Sequence, residues 1–185
     1  PIFLMRTVRF VPIHSWWGHT AGAASNPNDA QFLNATIGAF LKGDDTPADD
    51  REAAIAAAQA VLTAISTHDV ALARRFLLPG AQLVAAPDPS DPTSLPRVQT
   101  DTTFLKTIAA AQNQWRERLW DPTVEVAGAV ALVHAPYDFH RDGQFSHCGV
   151  DTFTLVRTAQ GWRISHLAYT VQRTGCTPSP LGPPR

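Results

Sequence analysis

"DGQFSHCGVDTFTLVRTAQGWRISHLAYT", residues 142–170, decides how the chain is read. From Thr152 onward it alternates as a half-buried strand does, with Phe153 and Leu155 on one side and Thr152 and Thr154 on the other. The same alternation carries His147, Gly149 and Asp151 to the apolar side. Asp142-Gly143 opens the strand as a turn, and Ala159-Gln160-Gly161 turns it into a further strand, "WRISHLAYTVQ". A strand that aims an imidazole, a bare glycine and a carboxylate inward predicts a wall lining a cavity.

Upstream, Ala131, Val133, Ala135, Tyr137 and Phe139 mark another strand of the same period. Before it, Trp120, Val124 and Val126 alternate with Asp121, Thr123 and Glu125 in a strand that starts at 116, and Ala127-Gly128 turns the chain. Long strands joined by short Gly-containing turns predict an antiparallel meander. The region ahead of it is helical. In "GDDTPADDREAAIAAAQAVLTAISTHD" (43–69), Thr46 suits the cap, Pro47 the first turn and Asp49 the acidic position of a capping box. Ile55, Ala58, Leu62 and Ile65 then recur at helical spacing, so a helix is expected over 47–67 with a break at His68-Asp69. "VALARRFL" resumes as a short second helix, stopped by "LPG" at 78–80. A short strand is expected at 81–86, irregular chain through the four prolines of 87–96, and an edge strand at "RVQT". "DTTFLKTIAAAQNQW" reads as a third helix with Phe104, Ile108 and Trp115 near one face. Helices followed by an antiparallel sheet make an α+β fold with the helices on one side.

Length and composition narrow the function. The 185 residues, 44% hydrophobic, suffice for one domain with a full core. A net charge of −1 leaves no footprint for nucleic acid or an anionic membrane. No apolar run approaches the 18 residues of a membrane span. Two cysteines, Cys148 and Cys176, fit neither a disulfide framework nor a zinc site, and their pairing stays open. The expected setting is a soluble, cytoplasmic one. The acid-free residues 5–28, with Arg6 and Arg9, offer a weaker organellar-targeting alternative.

The segment "VAGAVALVHAPYDFHRDGQFSHCGVDTFTLVRTAQGWRISHLAYT" resembles the C-terminal half of the nuclear transport factor 2-like (NTF2-like) superfamily, in its SnoaL-like and lumazine-binding branch. "GAVALV", the "DG" turn, "GVDTFTLVRT" and "GWRI" carry the likeness, over about residues 47–172. The resemblance implies a cone, a curved sheet wrapped around three N-terminal helices with a pocket between them. It divides the chain into an N-terminal extension (1–45, disordered or loosely docked), an NTF2-like domain (46–172) and a Pro-rich irregular tail (173–185). The superfamily holds isomerases, dehydratases and cyclases beside non-catalytic transport and assembly modules, so the fold does not name a reaction.

Asp151 and His147 are the first catalytic candidates. They lie roughly 13 Å apart along the strand at about 3.3 Å per residue, too far for a direct bond, but each can reach a ligand. A carboxylate on an apolar wall has a raised pKa and suits a general base. Tyr137 is the third candidate; it or Tyr169 is the expected donor to a developing oxyanion. Tyr169, Phe153, Trp115 and Trp120 are candidate ligand-binding walls, with core packing the competing reading. Cys148 faces away from His147, which argues against a Cys-His nucleophile pair. His134 and His166 fall on the opposite face. "HSWWGH" (14–19) lacks zinc spacing, so no metal is expected, and with no Gly-rich phosphate loop or dinucleotide fingerprint in the sequence no cofactor is expected either. The expected partner is a small apolar or cyclic molecule, and the expected assembly a homodimer through the sheet. Two functions stay open: a cofactor-independent isomerase, dehydratase or cyclase of the ketosteroid-isomerase-like kind, or a non-catalytic ligand-binding or assembly module.

Overall fold

The structure is a computed structural model that describes residues 49–88 and 93–183, together with helical positions 30, 33, 34 and 37. The chain divides into two compact units, Pro1–Glu52 and Ala53–Arg185. Thr46, Pro47, the "HSWWGH" stretch and the targeting reading of 5–28 lie outside the described residues.

Helix α1, Asp50–Thr67, is capped by Asp49, whose carboxylate accepts from the Glu52 backbone N–H at 2.9 Å. Asp49 thus plays the cap itself instead of the capping-box acid expected of it. Ala54, Ala57, Ala58, Val61, Leu62, Ala64 and Ile65 are buried; the alanines let the helix approach its neighbours closely. Asp69 caps the short α2, Val70–Phe76, by accepting from Leu72 N–H at 2.9 Å. Helix α3 spans Asp101–Ala110 behind a Thr100 cap.

The sheet holds β1 (Leu77–Ala85), β2 (Arg97–Thr100), β3 (Trp115–Leu119), β4 (Thr123–Ala127), β5 (Val130–Arg141), β6 (Gln144–Thr158) and β7 (Gly161–Tyr169). Its order is β2-β1-β7-β6-β5-β3, with β4 also on β5, and it does not close on itself. The meander of β5, β6 and β7 is as expected. Four expectations change. "LPG" does not end the second helix before a strand: β1 runs through it, absorbing Pro79 and Gly80 in an irregularity between Leu77 and Gln82. The third helix stops at Ala110, so Trp115 opens β3 instead. The strand expected over 116–126 is two strands with a corner at Asp121, whose φ is 44°. Finally, β1 pairs with β7 in parallel, while the other pairings among the described strands are antiparallel.

Further shifts bend the sheet. Ser146 is an extra residue on β6, because Phe139 pairs with His147 while His140 pairs with Phe145. Ser165 is extra on β7 in the same way, between Leu155↔Ile164 and Thr154↔His166. Such bulges sharpen twist and curvature. With its antiparallel-rich curved sheet and three helices, the described part is an α+β cone. The core joins Val61, Leu62 and Ile65 of α1 and Phe104 and Ile108 of α3 to Leu83, Val133, Phe153, Leu155 and Ile164 of the sheet. Burying each such side chain contributes about 1.5–3 kcal/mol.

Candidate functional site

The inward positions of β3, β5 and β6 face the same concave side. Trp115, Glu117 and Leu119 of β3 lie in register with Arg141, Phe139 and Tyr137 of β5. Phe139, Tyr137 and Ala135 lie in turn beside His147, Gly149 and Asp151 of β6.

Asp151 is fully buried, and neither of its carboxylate oxygens has a partner in the ordinary donor sense. The group that acts on it most strongly is the neighbouring carboxyl of Glu117. Burial pushes Asp151 well above the usual carboxylate range, and the Glu117 charge and hydrogen bond raise it further. Burial likewise pushes Glu117 up to about 7; the bond from Asp151 lowers it in part and the Asp138 charge adds to the rise. Two touching carboxyls cannot both ionise at low cost, so the pair retains a proton at neutral pH. An acid that stays protonated beside a base that is half ionised can give and take a proton in the same place.

Gly149 sits between His147 and Asp151 for a steric reason. A Cβ there would come within 2.1 Å of the Thr170 carbonyl oxygen and 2.7 Å of the Tyr137 ring. The close approach expected at this glycine is therefore made by the chain's own backbone and a tyrosine. Tyr137 is 1% exposed and donates its hydroxyl to that same Thr170 oxygen at 2.7 Å. Burial, followed by the charges of Glu117 and Asp151, pushes the phenol far up. Its proton is committed to the backbone.

His147 stacks on Phe139 with ring centroids 4.9 Å apart, meets Tyr137 edge-on at 5.8 Å, and shares a hydrogen bond with Ser146 Oγ through Nδ1 at 3.0 Å. Burial, with the charges of Arg173 and Arg141 behind it, pushes the imidazole down to about 4, so it is neutral at physiological pH. His147 and Asp151 do not meet; the partner of Asp151 is on β3. Trp115 is half-buried against the core, edge-on to His68 at 5.7 Å and tilted on Phe139 at 6.3 Å. Phe153 is 0% exposed and sits within the packed core. Tyr169 is half-buried, and its hydroxyl takes a long 3.4 Å hydrogen bond from Arg97. Trp120 is half-buried at the β3–β4 corner. His134 is exposed and His166 half-buried, both off the concave face.

Glu117 was not evident from the sequence. The signal was the Trp115, Glu117, Leu119 alternation, masked by reading the third helix through Trp115. On the convex face, Arg118 grips Asp138 through two hydrogen bonds, and Cys148 is bonded to Cys176, which settles the pairing left open. That bond holds the tail over a groove of about 320 Å³ between Asp138, His140 and Phe145 and the residues around Pro178. Phe145 reaches the groove because the Ser146 bulge reverses its side.

Residues 54–171 match the model of the SnoaL-like domain. Among solved structures, an NTF2-like protein of Cytophaga hutchinsonii aligns at a TM-score of 0.56 and 13% identity, covering 66% of this chain and 98% of its own. The CaMKII hub of S. rosetta aligns at 0.55 and 18%, covering 68% and 99%. A candidate dehydratase of the NTF2-like family from Streptomyces avermitilis aligns at 0.54 and 21%, covering 68% and 98%. No curated protein matches the chain.

Proposed function

Since this chain belongs to the SnoaL-like family of NTF2-like proteins, we propose that it binds a small, largely apolar, cyclic molecule on its concave face and moves a proton on it. The observation that carries this reading is the Glu117–Asp151 pair, in which a fully buried Asp151 has no hydrogen-bond donor and a half-buried acid for a neighbour. Burying the Asp151 carboxyl beside a second one costs several kcal/mol that a structural role does not recover, because a well-packed apolar residue would be more stable there. The ionised member takes a proton from the ligand while the protonated member gives one back, as isomerisation, dehydration or cyclisation requires, with no cofactor. The Streptomyces avermitilis protein, alike in fold, is named as a candidate dehydratase, and dehydration is one of these reactions. Of the expected catalytic residues, Asp151 fits the role; His147 fits as a neutral wall. Tyr137 is a poor oxyanion donor because Thr170 occupies its proton.

The reading as a binding or assembly module draws support from the committed Tyr137 hydroxyl and from the fold shared with the S. rosetta hub. A thermal-shift screen with polycyclic ketones, flavin-like heterocycles and terpenoids separates the two. The enzyme reading expects a ligand that is turned over by the native protein and bound but not turned over by Asp151→Asn. A ligand that binds both and is turned over by neither leaves the binding module.

The cytoplasmic setting sits against Cys148–Cys176, since a reducing interior keeps thiols apart; we favour an oxidising compartment. Among the described residues no helix is long and apolar enough to cross a membrane.

A further inference from the structure

Residues 170–172 carry the ladder of β6 and β7 on past Tyr169. Thr170 N–H donates to the Val150 carbonyl at 3.1 Å, and Cys148 and Gln172 exchange backbone hydrogen bonds of 2.9 and 2.8 Å. The chain then turns back, and Cys176, four residues beyond Gln172, is bonded to Cys148. The hairpin therefore reaches Cys148 through its own ladder. What the disulfide adds is the position of the chain that follows.

That chain has little else to hold it. The hydrogen bonds of Thr177–Pro183 stay within the tail, from Leu181 N–H to Ser179 Oγ and from Gly182 N–H to the Ser179 carbonyl, both at 3.2 Å. Pro178, Pro180 and Pro183 have no N–H to offer a neighbouring strand. Across the groove of about 320 Å³ stand Arg118 and the buried Asp138 and His140. A disulfide stabilises a fold chiefly by restricting the unfolded chain, here over a separation of 28 residues. Part of that gain is lost again in the folded state, because an intact bond also keeps the tail from moving. The bond is a modest staple for the domain and the main one for the tail.

We propose that Cys148–Cys176 is a redox latch: intact, it holds Thr177–Pro183 as a strap over the convex groove, and opened by a small thiol it lets the strap go and uncovers the groove. Buried Cys148 and half-buried Cys176 both line the groove, which gives a thiol its approach. The thiolate attacks Cys176 Sγ, the S–S bond breaks, and Cys148 leaves with the electron pair as a thiolate that is protonated from solvent. A second thiol attacks the small-molecule sulfur of the mixed disulfide. Cys176 leaves as a thiolate and is protonated in turn, and the reductant departs as its own disulfide. The latch lies on the sheet face opposite Glu117 and Asp151 and is independent of the chemistry proposed for them.

The test treats the full chain with millimolar 2-mercaptoethanol at mildly alkaline pH. It is followed by the mass gained on alkylation, by backbone NMR relaxation and by the titration of His140. That imidazole reports on the groove because burial pulls it below its ordinary 6.5, with Arg118 and Arg116 adding to the fall and Asp138 opposing it. The expected result is alkylation of both cysteines and a rise of the His140 titration towards 6.5. Order parameters at Ser179, Leu181 and Gly182 fall from about 0.85 to below about 0.6, while amide protection at Val133 and Phe153 is kept. Cys176→Ser shows the same loose tail and raised His140 without thiol. A bond that survives millimolar thiol in the folded protein overturns the latch. So does a tail that stays ordered after reduction or in Cys176→Ser, or an unmoved His140. Loss of protection at Val133 and Phe153 on reduction also overturns it, since the bond is then a staple of the whole fold.

Discussion

Asp151 and Glu117 set the response of the protein to pH. Both carboxyls are raised in the folded state above their ordinary 3.8 and 4.5, Glu117 to about 7. Folding therefore favours their protonated forms. The stability this contributes is fully present below about pH 4 and is lost as pH rises through about 7. For Glu117 the loss is on the order of 3 kcal/mol. Urea denaturation between pH 5 and 8 is expected to show stability falling with pH, and Glu117→Gln or Asp151→Asn to flatten the fall and stabilise the protein at pH 8. A variant that is less stable than the parent at pH 8 contradicts the shared proton. At this scale the sequence revealed half of the pair. The alternation of 147–155 placed Asp151 inward from its own strand; Glu117 stayed hidden because its strand begins at a tryptophan that also continues the preceding helical pattern.

Among the elements, β1 shows how local rules mislead. Pro79 and Gly80 read as a stop, since a proline in a central strand loses a ladder hydrogen bond. The strand tolerates them because they fall in the irregular stretch between Leu77 and Gln82, where no ladder pairing is made. Gly80 has a φ of 84°, and a Cβ built there touches nothing within 4 Å. Gly80→Ala is therefore a pure backbone test. It is expected to cost about 1–2 kcal/mol in chemical denaturation, with the fold intact, and Gly80→Asn to cost less. No loss in Gly80→Ala means that the irregularity relaxes freely. The elements read correctly are those whose turns are local: Asp142-Gly143 and the chain ahead of Gly161 define their hairpins within a few residues. The parallel β1–β7 partnership has no local signature, since its two strands are distant in sequence and either edge of the meander offered a place.

For the molecule as a whole, the outward face of β5 bears on assembly. Val130 and Leu132 are 44% and 41% exposed there, apolar groups that monomers ordinarily keep scattered. We expect the sheet face to pair with a second copy. Light scattering should then give twice the 20.0 kDa chain mass, and Leu132→Asp the single mass. A parent that stays at the single mass at micromolar concentration rejects the pairing. The order of the strands has a consequence for synthesis. A chain made from its N-terminus completes β1 at Ala85, yet the neighbour that flanks it away from β2 begins only at Gly161. Through all the intervening elongation the backbone edge of β1 that β7 later pairs stays open, even though α2 and α3 can already pack on its face. Pairing at that edge therefore waits for the last of the described strands.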